Sequence, residues 1–364
     1  MIKIKKFIIA IDIGTTTLVM SLIDRETKKL VKQYTELNNQ RIFGRNVIDR
    51  IKAANDGKQD KLRSIIIEEI KQGIIGLIGD INKENIEQIV IACNTTMSHI
   101  LLNYPCDNLG RYPYTPYNID LIELPFNEMF KSDLLNIKTI ILPGISTFVG
   151  GDIVSGLYHC GFNKMTEPSI LIDLGTNGEM AIGNKDKIIV ISAAVGPAFE
   201  GGNIAYGVDA VAITSDLLKN NIIDETGLLN DKYFEDGYLF EDTNIKFTQK
   251  NIREIQLAKA AVRAGIEVLI KNYNIKYQQV DKVYLAGGFG YHLNTIKGIA
   301  IGLLPKEFSD KIISIGNSSL KGAIDYSFDV KSKNKINKII KVSEEVNLSN
   351  DNMFNELYIK NMNF

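Results

Sequence analysis

Asp12-Ile13-Gly14-Thr15 and Asp173-Leu174-Gly175-Thr176 are one four-residue pattern written twice, each time after an apolar run. A Gly-Thr turn at a strand end presents successive backbone N–H groups, and glycine lets an anion approach them closely. The hydroxyls of Thr15, Thr16 and Thr17 add donors on one side; Thr176, Asn177 and Gly178 follow the second aspartate. An aspartate in front of such a turn repels phosphate. Its use there is to hold Mg2+ or its waters, with the cation bridging to phosphate oxygens. One such turn alone reads as a structural hairpin. Two in matching contexts read as a clamp on a polyphosphate, with Asp12 and Asp173 on the metal.

Other nucleotide fingerprints are missing. The chain has no G-x-x-x-x-G-K-[ST], and "GGFGYHL" (287–293) fails G-x-G-x-x-G because Leu293 stands where a small residue belongs.

The elements that would place these turns also occur twice. "FIIAIDI" (7–13), "TLVMSLID" (17–24) and "KLVKQYTEL" (29–37) read as three strands. A helix over 59–79 follows, with Leu62, Ile66, Ile70, Ile74 and Leu77 on one face, then a strand over 86–93 ending at "NTTM". The second half has strands at 169–174, 178–183 and 187–195, a helix over 252–273, and a strand over 280–286 ending at the Gly287–Gly288–Phe289–Gly290 turn. The Asn177–Gly178 pair predicts a two-residue type I′ hairpin. Residues 105–142 hold four of the eight prolines and read as an irregular excursion, and 329–364 as a peripheral helical or mixed extension.

A chain of 364 residues holds roughly two domains. Its 42 basic and 43 acidic residues leave a net charge of -1, so neither nucleic acid nor an anionic membrane is expected as a partner. The apolar start is cut short at Asp12 and lacks a small-residue cleavage site, and no run is long enough to span a bilayer. A cytoplasmic protein is expected. Cys93, Cys106 and Cys160 are scattered, without Cys-x-x-Cys, whereas an iron–sulfur cluster takes about four thiolates. No such cluster is expected within one chain, though two subunits of a homodimer have enough thiols to share one.

With these motifs in this order, the chain resembles the superfamily of actin, hexokinase-type sugar kinases and heat-shock chaperone ATPases. That resemblance implies an α/β protein of two related lobes, of actin-like ATPase (ribonuclease H-like) fold, with ATP in the cleft between them. It places the first lobe at 1–160, with 316–364 returning to it, and the second at 161–315. It puts phosphate on Gly14–Thr17 and Gly175–Gly178, and adenosine on Gly287–Gly290. The helices "GGDIVSGLYHC" (150–160) and "GNSSLKGAIDYSF" (316–328) are similar to the two that cross the hinge. A more specific likeness, in "NTTMSHILL", "PGISTFVGGDIVSGL", "AAVGPAFEGGNIAYG", "LAGGFGYHL" and "IGNSSLKGA", is to the C-terminal ATPase region of the reductive activators of corrinoid-dependent methyltransferases.

The resemblance gives individual residues alternative readings. Asp152 is either a helix N-cap or the base that orients an attacking water. Glu200 is a ribose- or phosphate-side carboxylate or a plain turn residue. Asn94 either faces the γ-phosphate or closes an Asx turn. Lys259 and Arg263 either flank adenine or line a solvated helix face. His99, His159 and His292 read as structural or incidental. The family likeness therefore implies a magnesium-dependent ATPase, with Asp152 and Asp173 catalytic, that assists reduction of a corrinoid protein or a similar metalloprotein. The ferredoxin-like electron donor would lie on a separate chain. A small-molecule kinase and a nucleotide-dependent scaffold are the alternatives.

Overall fold

Strand β1 (Phe7–Ile13) is apolar except at the partly buried Asp12, because a strand lies on each side of it and its other residues are buried. It pairs antiparallel with β2 (Thr17–Asp24), which pairs with β3 (Leu30–Leu37). Helices α1 (Val47–Ala53) and α2 (Gln59–Ile78) follow, and β4 (Ile86–Cys93) then runs parallel to β1. After α3 (Thr95–Leu102) come β5 (Ile122–Pro125), α4 (Phe126–Phe130), β6 (Lys138–Ile141) and α5 (Gly151–Cys160). The sheet order is β3-β2-β1-β4-β6-β5. In α2 the expected stripe Leu62, Ile66, Ile70, Ile74 and Leu77 is buried. The computed structural model describes residues 5–175, 177–196, 210–240 and 246–364.

The same plan recurs. β7 (Ser169–Leu174), β8 (Gly178–Gly183) and β9 (Ile188–Ala193) form the second meander. Next come α6 (Ala210–Lys219), α7 (Asp231–Phe234), the short pair β10 (Tyr238–Leu239) and β11 (Lys246–Phe247), and α8 (Gln249–Tyr273). Helix α8 starts before Ile252 because Thr248 and Asn251 form a reciprocal capping box. β12 (Val283–Ala286) runs parallel to β7, and after α9 (Gly287–His292) and α10 (Thr295–Ala300), β13 (Ile312–Gly316) runs parallel to β12. The core strand order β9-β8-β7-β12-β13 repeats β3-β2-β1-β4-β6, direction for direction.

Helices α11 (Ser318–Phe328) and α12 (Ser332–Lys341) pack with the first sheet's helices, while β14 (Ser343–Glu345) joins the outer edge of β9 and α13 (Asn352–Lys360) packs on α8. The chain divides into Met1–Lys164 with Ser318–Ser343, and Met165–Asn317 with Glu344–Phe364. The tail beyond Ser343 therefore belongs to the second unit, where the sequence reading had returned all of 316–364 to the first. The edge of β9 and the flank of α8 offer it apolar surface, and Leu348 and Leu357 are buried there. The excursion at 105–142 also contains β6, a strand of the main sheet. No helix among the described residues is long and apolar enough to cross a membrane.

The Asn177–Gly178 hairpin does not form as a two-residue turn. Gly178 already pairs with Leu174 as the first residue of β8. Glycine is needed there for space: a Cβ would stand 2.5 Å from Val195 Cγ2.

The tightest helix contact in the first unit is α5 against α11. Gly322 lies on the backbone of Ser155, so a Cβ would overlap the Ser155 carbonyl oxygen. Gly322→Ala is expected to lower unfolding stability by about 1–3 kcal/mol, the range for overpacking a close contact. Urea unfolding followed by circular dichroism measures it, and an unchanged midpoint would show that the two helices separate easily.

Candidate functional site

In the first unit, β1 and β4 are parallel and in register at their ends, with Ile13 beside Cys93. The residues that follow, the Gly14–Thr17 turn and Asn94, therefore emerge at the same sheet edge, the carboxyl end where ligands of parallel sheets bind. Every carbonyl of the turn has a donor. Asn38 Nδ2 donates to Gly14 O at 2.9 Å, Arg50 Nη2 to Thr15 O, Asn38 N to Thr16 O at 2.9 Å, and Gly14 N to Thr17 O at 2.9 Å. Asn38 and Arg50 are fully buried, so they draw the first three carbonyls inward. In a trans peptide the N–H lies opposite the C=O. The N–H groups of Thr15, Thr16 and Thr17 therefore point away from those donors, to the side where N–H dipoles can meet an anion.

Arg50 and Asn38 escaped the sequence reading. Arg50 also donates from Nε to Gly44 O at 3.2 Å and from Nη1 to Gln40 Oε1 at 3.2 Å. Burial pushes its guanidinium down to about 10, against the pull of Glu69. Asn94 closes the local turn at the start of α3. Its side chain caps α3 by accepting from Met97 N at 2.9 Å, and its Nδ2 donates to Thr15 Oγ1 at 3.1 Å, fixing that hydroxyl.

Asp152 is not the N-cap of α5; Gly150 is. Glycine stands there because a Cβ would come 2.6 Å from Asn94 Cα and Thr95 N, so α5 begins hard against the start of α3. This crowding brings Asp152, in the first turn, to the end of β4. Its Oδ1 accepts from Ile153 N at 2.9 Å. Desolvation, with the charge of Asp12 adding to it, raises the Asp152 carboxyl to about 7. The buried Cys93 thiol is pushed up by burial first and then by both aspartates. Asp12 and Asp152 thus share one poorly hydrated neighbourhood, and Ser319 Oγ on α11 donates to Asp12 Oδ1 at 2.7 Å.

Two carboxylates that disfavour each other's charge suit a divalent cation. Among the described residues no group of three or more His, Cys, Asp or Glu side chains forms a metal cage. The donor set therefore fits Mg2+, which binds through one or two carboxylates and completes its shell with water and phosphate oxygens.

In the second unit, Asp173 pairs in register with Glu179 on β8 and with Ala286 on β12. The β7–β8 turn and the start of α9 consequently sit together. Gly175 N donates to Asn177 O at 3.0 Å. Gly287, at φ +81°, turns the chain where a Cβ would stand 2.7 Å from Asp173 Oδ1. Gly288 faces open space, Gly290 is buried near Leu285 and Leu174, and Phe289 packs on the core. The Gly-Gly turn is thus the first turn of a helix. Thr176 and Glu200 lie outside the described residues.

Lys259 lies on no solvated face. It is buried, and its ammonium donates to Asn361 O at 2.8 Å and to Asn363 O. Burial, helped by Arg263, pushes it down to about 8. Arg263 pairs with Glu267 at 2.9 Å. His99 is structural: its ring nitrogens bond Thr95 O at 2.8 Å and Tyr117 N at 3.0 Å.

Residues 7–165 match the RACo middle region, and 167–226 and 211–364 match the C-terminal domain of RACo, the ASKHA domain. The chain is 31% identical to the corrinoid activation enzyme RamQ of Eubacterium limosum, covering 98% of this chain and 70% of that protein. It is 25% identical to the [Co(II) methylated amine-specific corrinoid protein] reductase of Methanosarcina barkeri, covering 98% of this chain and 76% of that protein. A solved reductive activator for corrinoid, iron–sulfur protein superposes with a TM-score of 0.88 at 28% identity, covering 100% of this chain and 67% of that one. The mixed α/β architecture with two sheets is the ASKHA, actin-like ATPase fold.

Arg50→Lys keeps a charge but loses the fork that reaches Gly44, Gln40 and Thr15 together. Leaving buried acceptors unmade is expected to lower stability by about 2 kcal/mol. Chemical denaturation checks this, and a wild-type midpoint would show that the turn does not depend on the guanidinium.

Proposed function

Because this chain belongs to the RACo family, we propose that it binds Mg-ATP through its two Asp-x-Gly-Thr turns and hydrolyses it. On this reading, the change between nucleotide states assists reductive activation of a corrinoid protein. One observation carries the nucleotide part: all four carbonyls of residues 14–17 are hydrogen-bonded, and the three drawn inward by Asn38 and Arg50 turn the N–H groups of Thr15–Thr17 the other way. The proteins it resembles, a corrinoid activation enzyme and a corrinoid protein reductase by name, support the client.

In this scheme the Thr15–Thr17 N–H groups and the Thr15 hydroxyl, held by Asn94, take phosphate oxygens. The second turn, with Gly175, Thr176, Asn177 and Gly178, is proposed to take phosphate oxygens as well. The start of α9 at Gly287–Gly290 takes the adenosine, and Glu200 stays a candidate for the ribose side. Asp12 and Asp173 hold Mg2+, which would neutralise charge on the phosphates. Asp152 orients the attacking water and receives its proton. ATP acts by changing shape rather than by phosphorylating a product. The three cysteines fall short of a cluster's thiolates, so a ferredoxin-like donor outside these 364 residues supplies the electron.

Calorimetry is expected to show Mg-ATP binding that Asp12→Ala and Asp173→Ala each weaken by about tenfold or more, the scale of a lost charge-assisted contact. Wild-type affinity in both variants would sink the clamp. Asp152→Asn is expected to keep ATP affinity and cut turnover by about 10²-fold, and an unchanged rate would remove Asp152 from the chemistry. Addition of an oxidised corrinoid protein with a low-potential donor is expected to yield reduced corrinoid only with ATP, followed by its absorption spectrum. ATP-independent reduction would break the coupling.

A further inference from the structure

Ser319 lies in the first turn of α11 and is 5% exposed. It makes two bonds in different directions. Its hydroxyl donates to Asp12 Oδ1 at 2.7 Å, and its carbonyl accepts from Ser155 Oγ at 2.6 Å. Ser155 stands three residues beyond Asp152, on the neighbouring face position of α5. Gly322, one position short of a full turn beyond Ser319, lies on the Ser155 backbone. One small residue therefore touches the carboxylate of β1 and the helix that carries Asp152.

Packing alone does not call for a hydroxyl at this position, since alanine occupies nearly the same space. What the hydroxyl adds is a proton aimed at a carboxylate in a poorly hydrated place. Asp12 and Asp152 repel each other there, and a repelled side chain turns away unless a donor holds it. The hold is also conditional. Because Ser319 sits on α11, a slide of α11 along α5 carries the hydroxyl away from Asp12 and breaks the bond from Ser155 Oγ to the Ser319 carbonyl.

We infer that Ser319 is a positioning residue, which fixes the Asp12 carboxylate for the cation and ties the nucleotide turn to the α5–α11 helix pair. This rests on the Mg-ATP reading above and deepens it. A helix shift withdraws the donor from Asp12 and loosens the cation; binding at Asp12 in turn favours the helix register in which Ser319 reaches it. The α5–α11 contact and the turn are then two ends of one coupled element.

The test is calorimetry on the full chain with ATP, once with Mg2+ and once with chelator. Ser319→Ala is expected to raise the Mg-ATP dissociation constant by about tenfold, as for a lost hydrogen bond to a charged group, and to leave metal-free ATP binding within about twofold. In an Asp12→Asn background, the same substitution is expected to add nothing, since its effect runs through Asp12. Ser319→Cys, similar in size with a weaker donor, should show the same pattern and substitutes for the alanine variant if that does not fold. Wild-type chain that binds no Mg-ATP overturns both the proposed function and this role. Wild-type chain that binds, with Ser319→Ala matching it in every arm, overturns the Ser319 role alone. So does a loss that is equal with and without Mg2+ and additive with Asp12→Asn, which would mark Ser319 as a packing residue only.

Discussion

A peptide carbonyl turned into a protein interior must find a donor, and residues 14–16 turn three of them inward in a row. Much of the first unit answers that constraint. The chain leaving β3 turns at Asn38, the cap of a short 3-10 helix, so that Asn38 lends both its backbone N–H and its side chain. Helix α1 delivers a guanidinium to a place with no water, and Gln40, Gly44 and Met97 engage the donors that the turn leaves over. Glu69, itself pushed up by burial, stands near enough to support the charge. A turn held this way does not reorganise when an anion arrives. Its carbonyls are already tied down, so less ordering is left to be charged against binding.

The same principle separates what the sequence tells from what it hides. β1, β2, β4 and α2 are legible because long buried elements need continuous apolar runs or a 3.6-residue stripe, and these are visible in "FIIAIDI" and in Leu62 through Leu77. The turns are legible as turns because Asp-x-Gly-Thr follows an apolar strand twice, in matching contexts. Arg50 is hidden. In "VIDRIKA" it reads as an ordinary surface arginine, and only the tertiary fold brings Thr15 beneath it. Ser319 is hidden likewise, since its partner lies 307 positions away. Strands β6 and β13 were missed because four or five residues carry no periodicity. Lys259 misled because lysine at helical spacing usually faces water. Here the tail's carbonyls replace the solvent. The Asn177–Gly178 pair misled differently: a dipeptide signals turn chemistry, but the pairing of Leu174 with Gly178 sets the loop length.

The two units share a strand order yet hold their turns by different means. Among the described residues, the first turn is held by side-chain donors and lies beside two carboxylates. The second is packed closely around its glycines, with Gly178 against the Val195 side chain and Gly287 against the Leu174 carbonyl and the Asp173 carboxylate. Side-chain donors and paired acids suit chemistry, because charge and proton affinity can be tuned there. Close packing around glycines suits recognition of shape, because glycine surfaces offer little besides fit and N–H groups. The proposed division of labour, with Asp152 and Ser319 around Asp12 in one unit and the Gly287 turn beside Asp173 in the other, follows from how each half satisfies its own backbone. The α5–α11 pair reaches Asp12 only in the first unit, where the reacting end of a bound nucleotide is proposed to lie, and that is where a helix movement can alter the chemistry.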